Sequence, residues 1–225
     1  SIYAENREIR RVAIIAFSSN SSLCGSFNSS VAKRLTSTLE KYSHLAHENI
    51  LIFPIGKKIS RVVKKMGFPI YNFDEMADKP TYSAAQLLAK RVMELFRNSE
   101  VDKVELIYHH FNSKSSQVLV DETMLPITLE ANYEEQIGSQ LNYIVEPDRA
   151  TIMNDLIPKV LRLKLYTALL DSIASEHAAR TIAMQIATDN ADDLLQELNL
   201  QYNKSRQQAI TNELLDIIGG SFGQS

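Results

Sequence analysis

The sequence predicts an α/β fold, with a small three-layer, Rossmann-like sheet domain followed by a long C-terminal coiled-coil helix. Up to about residue 130, short apolar runs alternate with amphipathic segments, as the crossover units of a parallel sheet require. Further on, Lys159–Ile218 contains neither Gly nor Pro and repeats apolar or small residues in steps of three and four, which is typical of a long helix. We therefore assign residues 1–141 to the sheet domain with its linker and residues 142–225 to the helix.

The first half of the domain contains two strands, each followed by a helix. Val12–Phe17 is wholly apolar, as expected for a strand buried on both faces. After a polar loop, Asn28 could cap a helix that runs to about Leu45. A second strand is predicted over Asn49–Ile55, and a helix over Lys57–Met66.

The next segment predicts a short strand and a third helix. Phe68–Phe73 is expected at the edge of the sheet because it contains Pro69, which cannot donate a ladder hydrogen bond. Pro80 and Thr81 then begin a helix that ends near Phe96. Its buried stripe is expected to contain Leu87, Leu88, Val92, Leu95 and Phe96.

Two further strands complete the predicted sheet. They cover Val104–Phe111 and Gln117–Pro126, and the polar turn Asn112–Ser116 joins them. The short turn predicts an antiparallel hairpin. A polar linker around Glu130–Leu141 then leads to the helix.

The long helix carries a continuous seam of apolar and small side chains. At 1.5 Å per residue, the segment Lys159–Ile218 would extend over roughly 90 Å. The seam consists of Leu163, Thr167, Leu170, Ala174, His177, Thr181, Met184, Thr188, Ala191, Leu195, Leu198, Tyr202, Ser205 and Ala209. This heptad spacing requires a second helix. Gly and Pro interrupt the chain before Ser139, so the partner helix is expected from another chain or from sequence absent here.

Composition excludes several classes of protein. The net charge of −3, with 44% apolar and 23% charged residues, is that of a globular protein without a dominant nucleic-acid-binding surface. The longest uncharged run, Val12–Ala32, is rich in Ser and Asn after Phe17, so it lacks the continuous apolar stretch needed to span a bilayer. The single cysteine, Cys24, excludes an internal disulfide and a multi-cysteine zinc site.

The loop Ser18–Asn28 follows the first strand, at the edge where open α/β sheets usually bind ligands. Gly25 is its only glycine and no Lys follows, so the loop matches neither a Walker nor a dinucleotide motif. A structural loop is therefore favoured over a nucleotide site, and Cys24 is expected to be a buried, inert thiol. The adjacent His109 and His110 should point to opposite faces of a strand.

Two charged clusters have ordinary structural explanations. Asp189, Asp192 and Asp193 fall inside the long helix, so we expect a solvated acidic face rather than a calcium loop. A basic strip, usually the solvated side of a helix and occasionally a docking patch, consists of Lys57, Lys58, Arg61, Lys64 and Lys65. The sequence therefore identifies no catalytic residue, no cofactor-binding residue and no metal ligand, and it indicates that the chain is not an enzyme.

Several motifs carry a family resemblance. Ile210, Thr211, Glu213, Asp216 and Gly220 match a C-terminal signature, although Ser221 stands where the family has Ala. Further matches are residues 174–180, 187–191, 202–207 and 23–28, and Tyr143 with Glu146, Pro147 and Asp148. The chain thereby resembles the gamma subunits of F-type ATP synthases. In its first loop, Ser21 and Ser22 replace the family's Arg and Gly.

This resemblance implies a central rotor-stalk subunit of a proton- or sodium-driven ATP synthase, without catalytic activity or cofactor. It would transmit torque between the membrane ring and three catalytic beta sites. Contact with beta subunits is implied for Arg206, Gln207, Thr211 and Glu213. A foot contact with epsilon or the membrane ring is implied for Tyr143, Glu146 and Asp148.

The implied partners are the alpha and beta subunits, the epsilon subunit and the membrane c-ring, with no nucleic acid and no direct membrane insertion. The family's own N-terminal helix, expected to be missing before Ser1, would cover the seam. The resemblance implies a peripheral position on the cytoplasmic face of a bacterial inner membrane. Two alternatives are an α/β protein or enzyme that binds a phosphorylated ligand and dimerises through its helix, and a structural coiled-coil adaptor.

Overall fold

The computed structural model describes residues 2–71, 73–128 and 148–222. Contacts divide the chain into two compact units, Ser1–Thr181 and Ile182–Ser225. The linker predicted around Glu130–Leu141 and the domain boundary predicted after residue 141 lie outside the described residues.

A four-stranded mixed sheet forms the centre of the first unit, in the order β2-β1-β3-β4. The strands are β1 (Val12–Phe17), β2 (Ile50–Ile55), β3 (Lys103–Ser113) and β4 (Ser116–Leu125). β1 pairs in parallel with β2 and β3, whereas β3 and β4 form an antiparallel hairpin. The predicted first strand and the hairpin are confirmed. All six residues of β1 are buried, because a central strand covered on both faces has no solvent side.

Five α-helices accompany the sheet in the described residues. They are α1 (Phe27–Lys41), α2 (Lys57–Lys65), α3 (Glu75–Asp78), α4 (Tyr82–Arg97) and α5 (Arg149–Phe222), with short 3-10 turns at Ile2–Ala4 and His47–Asn49. α5 begins before the Gly- and Pro-free segment and continues through Pro158. Among the described helices, none combines the length and hydropathy required to cross a membrane.

Helices cover both faces of the sheet, which confirms the three-layer architecture. Alternate residues of β1 point to opposite faces. One face packs against α1 and α2, through Val12, Ile14, Ala16, Val31, Leu35, Ile59 and Val63. The other packs against α4 and the first part of α5, through Ala13, Ile15, Phe17, Leu88, Val92, Leu161, Leu165 and Leu169. Each large apolar side chain buried in this way stabilises the fold by about 1.5–3 kcal/mol.

The predicted start and end of α1 were wrong. The helix begins at Phe27, and Asn28 does not cap it. The Asn28 amide oxygen instead accepts a hydrogen bond from the backbone N–H of Ser19, at 3.0 Å. The helix ends at Lys41, and Tyr42 follows as its C-terminal cap residue.

The edge strand predicted over Phe68–Phe73 was wrong, because residues 68–71 and 73 form no strand; Asn72 lies outside the described residues. Pro69 lacks the N–H that a strand would donate. Packing of aromatic rings stabilises the segment instead, since the ring of Tyr71 stacks on that of Phe53 with centroids 5.0 Å apart.

Leu87 was wrongly assigned to the buried stripe of α4, and it is 68% exposed. The residues that face the sheet include Ala85, Leu88, Ala89 and Val92. Leu87 lies one residue, about 100° of helix rotation, away from that stripe. The small side chains of the two alanines, rather than another leucine, therefore line the contact with the sheet.

A buried charge pair lies between β3 and the end of α1. Glu105 is 4% exposed, and its Oε1 accepts hydrogen bonds from Tyr42 Oη and Lys103 Nζ, each at 2.6 Å. Glu105 Oε2 is buried without a hydrogen-bond partner among the described residues. Burial, followed by the hydrogen bond to Glu105, raises the pKa of Tyr42, so the phenol remains protonated and donates to the carboxylate.

A buried histidine joins α1 to the same face of the sheet. The His109 ring stacks on Phe27 with centroids 4.4 Å apart, and its Nε2 lies 3.1 Å from Ser30 Oγ. Burial lowers the pKa of His109 to about 4. The imidazole is therefore neutral at pH 7. His110, the next residue on the strand, is exposed, which confirms that the two side chains point to opposite faces.

Replacing Lys103 with Met should lower the free energy of unfolding by about 3 kcal/mol, because the Glu105 carboxylate would remain buried without its cation. Urea denaturation at pH 7 measures this change. The double variant Lys103→Met with Glu105→Gln should recover most of the loss. As a matched control, Arg10→Met removes a fully exposed ion pair with Glu8 and should cause no measurable change. Equal effects of the two single substitutions would contradict this account.

Stability should also decrease as the pH falls from about 6.5 towards 4, because the unfolded chain takes up a proton at His109 before the folded chain does. Above this range both states hold the neutral ring and the contribution is constant. Denaturation measured between pH 7 and 5 tests the effect, and His109→Gln should flatten the curve there. An unchanged slope in that variant would rule out His109 as the titrating group.

Candidate functional site

The first part of α5 has two apolar faces. One face packs on the sheet and contains the buried residues Leu161, Leu165, Ala168 and Leu169. On the opposite side, about 180° around the helix axis, Leu163 is 55% exposed and Leu170 is 40% exposed. Ile152, Leu156 and Val160 are also exposed. The seam predicted from the heptad spacing is therefore the face that the sheet leaves uncovered.

The second unit consists of the remainder of α5. Every residue from 184 to 219 is exposed, including the large apolar seam residues Met184, Leu195, Leu198 and Tyr202. A soluble monomer rarely exposes so many large apolar side chains together. The seam of this unit is thus a candidate interaction surface.

The four residues predicted to contact beta subunits lie in this second unit, and all four are exposed. The helix repeat places Arg206 and Glu213 on one face, and Gln207 and Thr211 on the neighbouring one. Thr211 Oγ1 donates to the carbonyl oxygen of Gln207 at 2.9 Å. The structure therefore places all four within one region of the helix surface, where their side chains are accessible.

The three predicted foot residues are only partly described, since Tyr143 and Glu146 lie outside the described residues. Asp148 lies at the N-terminus of α5. Its Oδ1 accepts the backbone N–H of Thr151 at 2.9 Å, and its Oδ2 accepts the hydroxyl of Thr151 at 2.6 Å. Asp148 therefore satisfies an otherwise unpaired amide of the first turn of the helix.

The loop after β1 uses its polar groups to bind the start of α2. The first three backbone N–H groups of α2 all donate to this loop. That of Lys57 donates to Asn20 Oδ1 at 2.8 Å, and that of Ile59 donates to Ser18 Oγ at 3.0 Å. Between them, the N–H of Lys58 donates to the carbonyl oxygen of Ser19. These three amides are therefore not free to bind a phosphate at the N-terminus of α2, and the loop has a structural role in holding that helix.

Close packing at this junction also requires a glycine. Gly56 adopts a φ of +98°, and a Cβ there would collide with the Ser18 carbonyl group. In the loop after β1, Cys24 is buried, and Asn28 Nδ2 donates to its Sγ at 3.1 Å. The expected buried thiol is confirmed.

A charged pair of α5 also contacts this loop. Arg180 Nη2 donates to Glu176 Oε1 at 2.7 Å and to Ser21 Oγ at 2.6 Å. Glu176 is only 7% exposed, so its side chain is not part of the solvated surface of the helix. The sequence could not reveal this pairing, since Ser21 lies 159 positions away from Arg180.

The other charged clusters lie on the surface. Asp189, Asp192 and Asp193 are exposed, as expected. No cluster of His, Cys, Asp or Glu suited to a metal ion occurs in the part of the chain that the structure describes. The basic strip of α2 faces away from the sheet, because Ile59, Ser60 and Val63 form the buried side of that helix.

Sequence reasoning missed the buried groups at Glu105 and His109. The sequence does contain one signal for the buried ion pair. Lys103 and Glu105 are charged residues two positions apart in an otherwise apolar strand, so their side chains share one face of the sheet. The position of Tyr42 beside them depends on where α1 ends, which local pattern did not fix.

Comparison with known proteins gives a consistent result. A family model described as ATP synthase matches residues 1–222. The ATP synthase gamma chain of Bacteroides fragilis is 58% identical over 224 residues, covering 98% of this chain and 77% of that relative. That of Phocaeicola vulgatus is 56% identical with the same coverage, and that of Christiangramia forsetii is 40% identical, covering 98% of this chain and 76% of the relative.

Solved structures agree with these sequence relatives. A chain of the central stalk and c-ring structure of the Tetrahymena thermophila mitochondrial ATP synthase is 25% identical, with a TM-score of 0.59, covering 82% of this chain and 79% of that one. A chain of the Euglena gracilis mitochondrial ATP synthase rotor shares the fold at 17% identity, with a TM-score of 0.62, covering 90% of this chain and 75% of that one. On this evidence, the chain belongs to the ATP synthase gamma chain family.

Proposed function

We propose that this chain is the central rotor-stalk subunit of a proton- or sodium-driven F-type ATP synthase and transmits torque between the membrane ring and the three catalytic beta sites. The observation that carries the proposal is the long helix α5, whose exposed seam lies opposite its sheet contact in the first unit and is wholly exposed in the second. The relatives named ATP synthase gamma chain support the same role.

The amino-acid sequence of α5 suits the transmission of torque. A rotating element must resist twist and bending, and Gly or Pro in its interior would introduce compliance or a kink. Between Lys159 and Ile218 neither residue occurs. The helix is therefore continuous through the segment where beta contacts are proposed.

The subunit itself is proposed to be non-catalytic. Its task is to present a different face to each of three equivalent catalytic sites, so that differential contacts favour the open or the closed state of each site. A shift of a few kcal/mol per site is enough to change its population substantially. The loop after β1, whose polar groups hold α2 in place, supports a structural rather than a catalytic domain.

The proposed partners are the alpha and beta subunits, epsilon and the membrane c-ring. Arg206, Gln207, Thr211 and Glu213 would contact beta, and their exposure supports this assignment. Tyr143, Glu146 and Asp148 would belong to the foot. The proposed location is peripheral, on the cytoplasmic face of a bacterial inner membrane, in keeping with the bacterial relatives.

We further propose that a second long helix covers the seam in the assembled enzyme. Seam residues such as Leu163 and Leu170 lie opposite the sheet contact of α5. Their side chains can therefore pack against a partner helix in the knobs-into-holes manner of a coiled coil. The small residues in the seam, among them Ala174 and Ala191, would permit close approach of the two backbones. That the covering helix precedes Ser1 in the same polypeptide stays a prediction.

Arg206→Ala and Thr211→Ala, tested in the intact enzyme, should each lower ATP turnover coupled to ion transport several-fold, because contacts that differ between catalytic sites are lost. The thermal unfolding of the α/β unit should not change, since both side chains are exposed. Gln208→Ala serves as a matched control from the same helix turn, on a different side. Wild-type turnover in both variants would contradict the assigned beta contact.

Replacing both Leu163 and Leu170 with Glu should prevent assembly of the enzyme complex, because two charges would be buried against the covering helix. The fold of the chain itself should persist, since both side chains are already exposed. Co-purification with alpha and beta subunits measures assembly, and circular dichroism monitors folding. Leu87→Glu, at a 68% exposed position of α4, is the control. Normal assembly of the double variant would refute the covered seam.

A further inference from the structure

The outer layer formed by α1 and α2 concentrates positive charge. Together these helices carry eight Lys or Arg residues and one Glu, a net charge of +7, whereas the whole chain carries −3. Five of the cations form the basic strip of α2, and that helix contains no acidic residue. Charge is therefore strongly segregated onto this side of the sheet.

The cations of α2 share one side of the helix. At 3.6 residues per turn, all five fall within an arc of about 120°, directly opposite the buried residues Ile59 and Val63. Lys58 donates to Ser22 Oγ. The side chains of Lys57, Arg61, Lys64 and Lys65 form no ion pair with the described residues. The adjacent helix α1 adds Lys33 and Arg34.

The surface lacks the groups that other classes of partner require. Leu23, Ile70 and Tyr71 are exposed in the segments before α1 and after α2, but no large apolar side chain within either helix is exposed, whereas stable protein interfaces contain buried aromatic or apolar anchors and few lysines. Single-stranded nucleic acid needs exposed aromatic rings for stacking. An anionic bilayer requires neither anchors nor shape complementarity, and it attracts clusters of four to eight Lys and Arg.

We propose that the α1 and α2 surface of this chain adsorbs electrostatically to anionic lipid headgroups. The contact is made by the two helices without insertion, since no large apolar side chain within α1 or α2 is exposed. It acts over about a Debye length, roughly 10 Å at 0.1 M salt. This inference goes beyond the rotor role and stands independently of it, because it is measured without ATP turnover.

The test uses the full chain and sedimentation with phosphatidylcholine vesicles, with or without phosphatidylglycerol, in roughly 0.1 M NaCl. Binding is expected only with the anionic lipid and should weaken as salt increases. Each lysine near the surface contributes about fivefold to the partition constant. The triple variant Lys57→Gln, Arg61→Gln and Lys64→Gln should therefore bind about 100-fold more weakly. This variant spares Lys58, and glutamine preserves helix propensity.

The matched control removes the same charge from the other face of the sheet, through Lys90→Gln, Arg91→Gln and Arg97→Gln on α4, where all three side chains are exposed. It should bind anionic vesicles nearly as well as the unmodified chain. An equal loss in both triple variants would overturn the assigned surface, since only net charge would then matter. Equal binding to vesicles without anionic lipid would assign adsorption to the apolar seam and overturn the proposal.

Two other outcomes would also overturn it. Failure of the unmodified chain to bind anionic vesicles would leave an acidic protein as the partner of this face. Displacement by inorganic phosphate that greatly exceeds displacement by NaCl at equal ionic strength would indicate a discrete phosphate site instead of a lipid surface.

Discussion

A helix packed flat on a sheet can bury only one of its sides, and this constraint determines how the first unit is organised. α5 uses Leu161, Leu165 and Leu169 to cover the sheet beside α4. The apolar residues on its other side, such as Leu163, then have no way to reach that core. Apolar area stabilises a protein only when it is removed from water. The second apolar side of α5 therefore contributes to stability only if another surface covers it. The interaction properties of the chain follow from this excess of apolar surface.

The edge of the sheet where α/β proteins usually bind ligands has a different task here. Its loop residues satisfy the amides at the start of α2, and Arg180 of α5 bonds to the same loop through Ser21. Three elements that are distant in sequence are thereby fixed to each other by hydrogen bonds. The polar groups of this loop therefore hold neighbouring elements together. A domain that must withstand mechanical load benefits from such cross-linking more than from an open pocket.

Much of this architecture could be predicted from the sequence, because periodicity is a local property. The residues of β1 form an uninterrupted apolar run, and the hairpin of β3 and β4 has a short polar turn. The phase of the seam followed from the heptad spacing, and in the first unit its residues Leu163, Thr167 and Leu170 are exposed as that phase requires. The helix positions singled out by family resemblance fall on accessible surface, although accessibility alone does not identify their partner.

The errors share a physical origin in contacts between residues that are far apart in sequence. Asn28 has the chemistry of a cap, but Ser19 competes for its side chain. Nothing in the sequence indicated the link from Glu176 through Arg180 to Ser21, which lies 159 positions from Arg180. The segment near Pro69 was assigned to the sheet because its composition suits a strand, whereas the ring of Phe53 offered Tyr71 a better contact.

The exposure of the second unit affects the stability of unassembled copies of this chain in the cell. An isolated helix is only marginally stable in water, and every residue from 184 to 219 is exposed in the described part of the chain. Until a partner binds, this end of the chain should unfold locally more readily than the sheet and so expose its backbone to proteases. Copies synthesised in excess of their partners would be degraded from this end. Turnover of orphan subunits would thus match the supply of the chain to the number of complexes under construction in the cell.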